Sequence, residues 1–186
     1  VVTKKKKINT KTEKVVNLDS KAAKPKAIEK PVTTTPRKRS SVDTYIDSYA
    51  QIAMIEMRKS KIPASITLAQ GILESGSGNG RLAKEANNHF GIKCHGWKGA
   101  KIFHDDDEDQ ECFRKYKAAS TSYKDHSEFL TGRGRYANLF KLKQNDYKGW
   151  AKGLKAAGYA TDRKYPQKLI SLIERYELYE YDNQVL

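Results

Sequence analysis

Glu74 closes the apolar run Ile66–Leu73 and is followed at once by Ser75, Gly76, Gly78 and Gly80. This spacing puts a carboxyl in the last turn of a helix, beside an open turn. The negative end of the helix macrodipole disfavours its charged form, and apolar neighbours do the same by desolvation. Both effects push its pKa upward, toward that of a usable general acid. The small residues Ser75, Gly76 and Gly78 leave space for a bulky substrate. A second group of carboxyls follows at Asp105, Asp106, Asp107, Glu108, Asp109 and Glu111. As hard oxygen ligands they invite a calcium reading, but their spacing fits no EF-hand loop. Cys94, His95, His104 and Cys112 lack CxxC or HxxxH spacing, so no zinc site is expected. No metal or cofactor is therefore expected. No serine sits in a GxSxG setting, and His89, His95, His104 and His126 read as structural or exposed. The two cysteines allow one disulfide at most. They are either small buried hydrophobes or, in an exported chain, a bridge.

The elements that must carry these residues follow from periodicity. Residues 43–58 place Tyr45, Tyr49, Ile52, Ala53 and Met57 near one helical face, with Ser41 or Asp43 as cap. Pro63 suits the first position of a second helix, which presents Ile66, Ala69, Ile72 and Leu73 to a core and ends near Glu74. The glycines stop it, and a short helix RLAKEAN follows. Residues 91–99 read as a loop. Residues 100–105 and 110–116 read as a hairpin around the acidic turn. Further helices are expected from Ser120 to Leu130, around Tyr136–Leu142, from an Asp146 cap to Ala157 with Gly158 past its end, and from Pro166 to Tyr179. The fold class is α+β, mainly α, with one small β-lobe and no internal repeat.

The formal charge of +14 is unevenly spread. Residues 1–42 hold 13 Lys/Arg against 3 Asp/Glu, three of the five prolines and no aromatic residue. Such a segment cannot bury enough apolar surface to offset its ordering entropy. It is expected to be a disordered basic linker with an affinity for polyanions, leaving residues 43–182 as one domain. The folded part carries only a small positive excess and no nucleic-acid recognition motif, so no nucleic-acid partner is expected. No apolar run is long enough to span a membrane, and no signal peptide is visible. The start at Val1 rather than Met suggests a processed N-terminus from which an export signal was removed.

Three blocks, IPASITLAQGILESGSGNGRLAKEANNHFGIK (62–93), ECFRKYKAASTSYKDHSEFL (111–130) and AKGLKAAGYATDRKYPQKLI (151–170), make the chain resemble glycoside hydrolase family 73. These are bacterial endo-β-N-acetylglucosaminidases that cut peptidoglycan. The resemblance covers roughly residues 43–181. It implies a lysozyme-like helical lobe facing a small β-hairpin lobe across a substrate groove, with Glu74 as the catalytic general acid. Glycoside hydrolysis commonly uses two carboxyls. In relatives with a second acid it tends to lie on or near the end of the first hairpin strand, which favours Asp105 or Asp106, with Glu111 behind them. The substrate's N-acetyl group can itself attack the anomeric carbon, so that route stays open beside retention and inversion. A lytic transglycosylase and a non-catalytic wall-binding module are the alternatives.

Sugar C–H faces pack on aromatic rings, and phenols hydrogen-bond sugar oxygens. Tyr159, in a loop just after Gly158, matches a family tyrosine close to the catalytic Glu. Phe90 and Tyr165 are further groove candidates, with Tyr136 and Trp97 behind them, while Trp150 reads as helix core. Asn87 and Asn88 lie near the expected cleft, and one of them is expected to order the turn. Substrate contacts are thus expected from Ser75, Gly78, Asn88, Phe90, Tyr159 and Tyr165. The partner implied is peptidoglycan glycan, met by an exported monomer in the periplasm or cell envelope.

Overall fold

The structure is a computed structural model that describes residues 38–106 and 109–186. The linker expected over residues 1–42 thus lies largely outside the described residues, as do Asp107 and Glu108. The compact unit runs Lys38–Leu186, a few residues wider at each end than the domain expected over 43–182.

The first helix, α1 (Ser41–Ser60), starts in a capping box. Ser40 Oγ accepts from the Asp43 amide at 3.2 Å, and the Asp43 carboxylate accepts from the Ser40 amide at 2.7 Å. The cap is therefore Ser40, one residue before Ser41, with Asp43 as its reciprocal partner. The buried stripe is Tyr45, Ile46, Ala50, Ala53, Met54 and Met57. Ile52 is only half-buried.

The second helix, α2 (Ala64–Glu74), is buried along its whole length up to Ile72. A helix enclosed on all sides belongs at the centre of a domain. It packs against α1, α5 (Tyr147–Ala156), α6 (Tyr165–Arg175) and α7 (Tyr179–Asn183). Pro63 precedes α2 and offers no side-chain cap. The cap comes from α7, where Asp182 accepts from Ser65 N at 2.8 Å and from Ser65 Oγ at 2.5 Å. No sequence signal links these residues, which are 117 positions apart. The last helix expected to reach Tyr179 instead stops at Arg175. Glu177 turns the chain through φ +51°, which drives Leu178 into the core and frees α7 to reach Ser65.

The β-lobe is a two-stranded antiparallel sheet, β1 (Lys101–His104) with β2 (Glu111–Arg114), in the register Ile102↔Phe113 and Phe103↔Cys112. It has a small core of its own, Ile102 and Phe113 on Ala86 of α3 (Arg81–Ala86), with Leu82 alongside. Cys94 and Cys112 form a disulfide that ties the preceding loop to β2. Of the two cysteine readings, the bridged one is realised. The remaining elements are α4 (Ala119–Thr131) and a 3-10 segment (Gly134–Lys141). Asp146 caps α5 by accepting from Gly149 N at 2.9 Å, and Trp150 is core, both as the pattern predicts. Among the described residues no helix is long and apolar enough to cross a membrane.

Candidate active site

The end of α2 opens into a groove of about 510 Å³ between the helical lobe and the β-lobe. Leu73 and Glu74 enter from α2, residues 90–93 and His95 from the loop, and Asp106 from the hairpin. His126 and Phe129 enter from α4, residues 159–162 from the segment after α5, and Tyr165 and Lys168 from α6.

The turn after Glu74 is held by side chains expected to touch substrate. Ser75 is buried; its hydroxyl donates to Gly71 O at 2.5 Å and accepts from Gly78 N at 2.7 Å. Gly78 has φ +77°, and a Cβ there would press on the Tyr45 ring at 3.2 Å. Tyr45 is itself fixed by hydrogen bonds to His89 Nδ1 (2.9 Å) and Tyr123 Oη (2.8 Å). Ser75 and Gly78 therefore lock the helix end rather than line the groove. Asn88 is likewise withdrawn. Its amide donates to Ile92 O and Arg114 O, and its Oδ1 accepts from Ile92 N, so all its bonds go to backbone. Asn87 ends α3 in the left-handed region and donates to Tyr116 O, while Asn88 orders the turn that follows and sews the loop to β2.

Glu74 stands at the groove as an exposed residue, yet its carboxyl is crowded by protein. Burial pushes its pKa up, and the negative charge of Asp106 pushes the same way. Tyr165 opposes them by donating from its hydroxyl to Glu74 Oε1 at 2.9 Å. Burial is the stronger influence, so the carboxyl is held protonated to higher pH than an ordinary glutamate. Tyr159 stacks on Tyr165 with centroids 5.7 Å apart. Burial and the nearby Glu74 charge raise its phenol well above the usual range, so it stays a neutral hydroxyl.

The two hairpin candidates separate. Asp106 lines the groove with Glu74. Asp105 points into the hairpin turn, accepting from Gln110 N at 2.7 Å and Gln110 Nε2 at 3.0 Å, and these bonds lower its pKa. Glu111, the third candidate, is held by Lys93 at 2.7 Å.

Phe90 lies on the groove floor, stacked on the His126 ring at 4.0 Å. His126 was expected to be structural, and it is buried, with burial lowering its pKa to about 3, so it is neutral. Its place in the groove lining, and that of Phe129, carried no signal in the sequence beyond helical spacing in α4. Among the described residues no cluster of His, Cys, Asp or Glu is arranged to hold a metal ion. The arrangement can therefore deliver a proton from a raised carboxyl, with a second carboxyl on the opposite lobe and flat rings for a sugar chain between them.

Known proteins share this sequence and shape. The profile of the glucosaminidase family, described as mannosyl-glycoprotein endo-beta-N-acetylglucosaminidase, matches residues 50–178. The chain is 38% identical over 149 residues to the exo-glucosaminidase LytG of Bacillus subtilis, covering 74% of this chain and 52% of that protein. It superposes on the catalytic domain of the autolysin Auto from Listeria monocytogenes with TM-score 0.64 and 30% identity, covering 82% of this chain and 92% of that one. The glycoside hydrolase domain of Salmonella typhimurium FlgJ superposes with TM-score 0.62 and 27% identity, over 77% and 92% of the two chains. The chain spans about half the length of the first curated relatives it matches, 52% and 50%.

Proposed function

Because the chain belongs to the glucosaminidase family of glycoside hydrolases, we propose that it cleaves the β-1,4 bond after N-acetylglucosamine in the glycan strands of peptidoglycan, with Glu74 as general acid. The observation that carries this is the raised Glu74 carboxyl at the mouth of α2, with Asp106 lining the same groove. Glu74 gives its proton to the glycosidic oxygen as the C1–O bond breaks, and the bond's electron pair stays on that leaving oxygen. Positive charge develops at C1, and the Asp106 carboxylate stabilises it, Asp162 being paired with Lys168. Water then bonds to C1, and the proton it releases restores Glu74 over the cycle. Phe90, Tyr159 and Tyr165 supply the surfaces on which the sugar rings pack.

The names of the relatives support the substrate, since they include peptidoglycan hydrolases and autolysins. The disulfide supports an oxidising compartment, and with it export to the cell envelope. A monomer suffices for this reaction, since both carboxyls it uses lie on this chain.

The test is Glu74→Gln, which keeps the shape and removes the transferable proton. Release of dye from labelled cell walls falls by about 10²- to 10⁴-fold, with the melting curve unchanged. Undiminished lysis would remove Glu74 as the acid. In the wild type the alkaline limb of kcat/KM lies above the ordinary glutamate value of about 4.3, because activity is lost as pH rises through the acid's raised pKa.

A further inference from the structure

Tyr165 has one hydroxyl proton, and two groups contact its oxygen. Glu74 Oε1 is 2.9 Å away as acceptor. On the other side Gln70 Nε2 donates to the same oxygen at 3.1 Å. Gln70 lies one helical turn before Glu74 on α2, is fully buried and does not line the groove. An amide N–H can only donate. While it points at Tyr165, the phenol oxygen is occupied as an acceptor and its proton is free to go only to Glu74.

Resting on the assignment of Glu74 as the acid, we propose that Gln70 is a positioning residue for the reaction: it commits the Tyr165 proton to Glu74 Oε1, which leaves Oε2 to carry the proton that is transferred. After transfer, the same hydroxyl stabilises the carboxylate, and the Gln70 amide strengthens that hydroxyl as a donor. The opposite amide orientation would turn a carbonyl toward Tyr165 and draw its proton away from Glu74. The observed orientation keeps the acid supplied at the expense of Gln70 Oε1, which has no hydrogen-bond partner.

The groups facing Glu74 are Asp106 from the hairpin, Tyr159 after α5 and Tyr165 from α6, with His126 of α4, His95 of the loop, Asp162 ahead of α6 and the groove lysines Lys93 and Lys168 around them. A substitution at Gln70 changes none of these charges, so a displaced pH profile reports the Gln70–Tyr165–Glu74 chain. Gln70→Leu removes the whole amide and adds no charge. Gln70→Met keeps the length and removes the donor. With solubilised peptidoglycan fragments as substrate, both variants move the alkaline limb of kcat/KM upward by roughly half a unit to one unit. Both lower kcat about fivefold, by the worth of one hydrogen bond, and leave KM unchanged. In a Tyr165→Phe background Gln70→Met produces no additional displacement. A limb that stays in place, an equal displacement without the Tyr165 hydroxyl, or a change confined to KM would overturn the proposal. In the unsubstituted enzyme, the side-chain amide nitrogen resonance of Gln70 titrates with the midpoint of the alkaline limb; invariance across it contradicts the coupling without any mutation. Glu74→Gln separates the two levels. If it stays active, the acid assignment fails and this inference with it. If it is inactive while the Gln70 variants match wild type, only the role of Gln70 fails.

Discussion

Asp105 and Asp106 are neighbours in sequence and opposite in what holds them. Asp105 closes the hairpin turn through two bonds from Gln110, while Asp106 faces Glu74 across the groove. Asp106→Asn therefore lowers turnover by about 10²-fold or more. It also moves the alkaline limb downward, since the charge that raises the Glu74 pKa is gone. Asp105→Asn leaves the limb in place, because an asparagine Oδ1 still accepts from Gln110. Equal damage from the two would reverse the choice between them. From sequence alone the two acids were inseparable, because the difference lies in backbone bonds within the turn. Glu74, Phe90, Tyr159 and Tyr165, by contrast, were legible as candidates from their positions beside glycines or in the family blocks, and the fold brings them to one groove. Ser75 and Asn88 lie beside the groove with their side chains bonded to backbone. Small polar side chains take whichever backbone groups the fold leaves unpaired, and the partner of Asn88 at Arg114 lies 26 residues on.

At the level of elements, the helix that presents Glu74 is set from its far end. Asp182 of α7 supplies the cap that Pro63 cannot, and its burial raises its pKa to about 6. Asp182→Ala leaves Ser65 N and Oγ without this partner and lowers stability by about 1–3 kcal/mol at pH 5. A carboxyl whose folded pKa lies above its unfolded value of about 3.9 gives its full stability below that value and loses it as pH rises through about 6. The penalty of the substitution is thus larger at pH 5 than at pH 8, as chemical denaturation at the two values measures. Periodicity made α1, α2, α3, the hairpin, α4 and α5 legible, with ends displaced by a residue or two. It missed α7, because five residues show too little pattern to separate from the end of α6. What defines α7 is a tertiary bond to Ser65, invisible to local reading.

For the whole molecule, we propose that the basic segment ahead of Ser40 holds the enzyme to an acidic wall while the folded unit cuts it. Ser40 caps α1, so a truncation that spares the fold stops at Arg37. Removing residues 1–37 weakens sedimentation with purified walls at low salt and not at high salt, while turnover of soluble fragments stays intact; equal loss of both would contradict that division. The domain's shape and family were legible because the Glu–glycine turn, the NNHFGIK stretch and the GYAT stretch fall in one order along the chain. Mass spectrometry of digested peptidoglycan tests Glu74-driven hydrolysis after N-acetylglucosamine most directly. The wild type releases fragments with N-acetylglucosamine at the reducing end, with one water taken up per bond cut, and Glu74→Gln releases none. Fragments ending in anhydro sugar or in N-acetylmuramic acid, or the same fragments from Glu74→Gln, would contradict it.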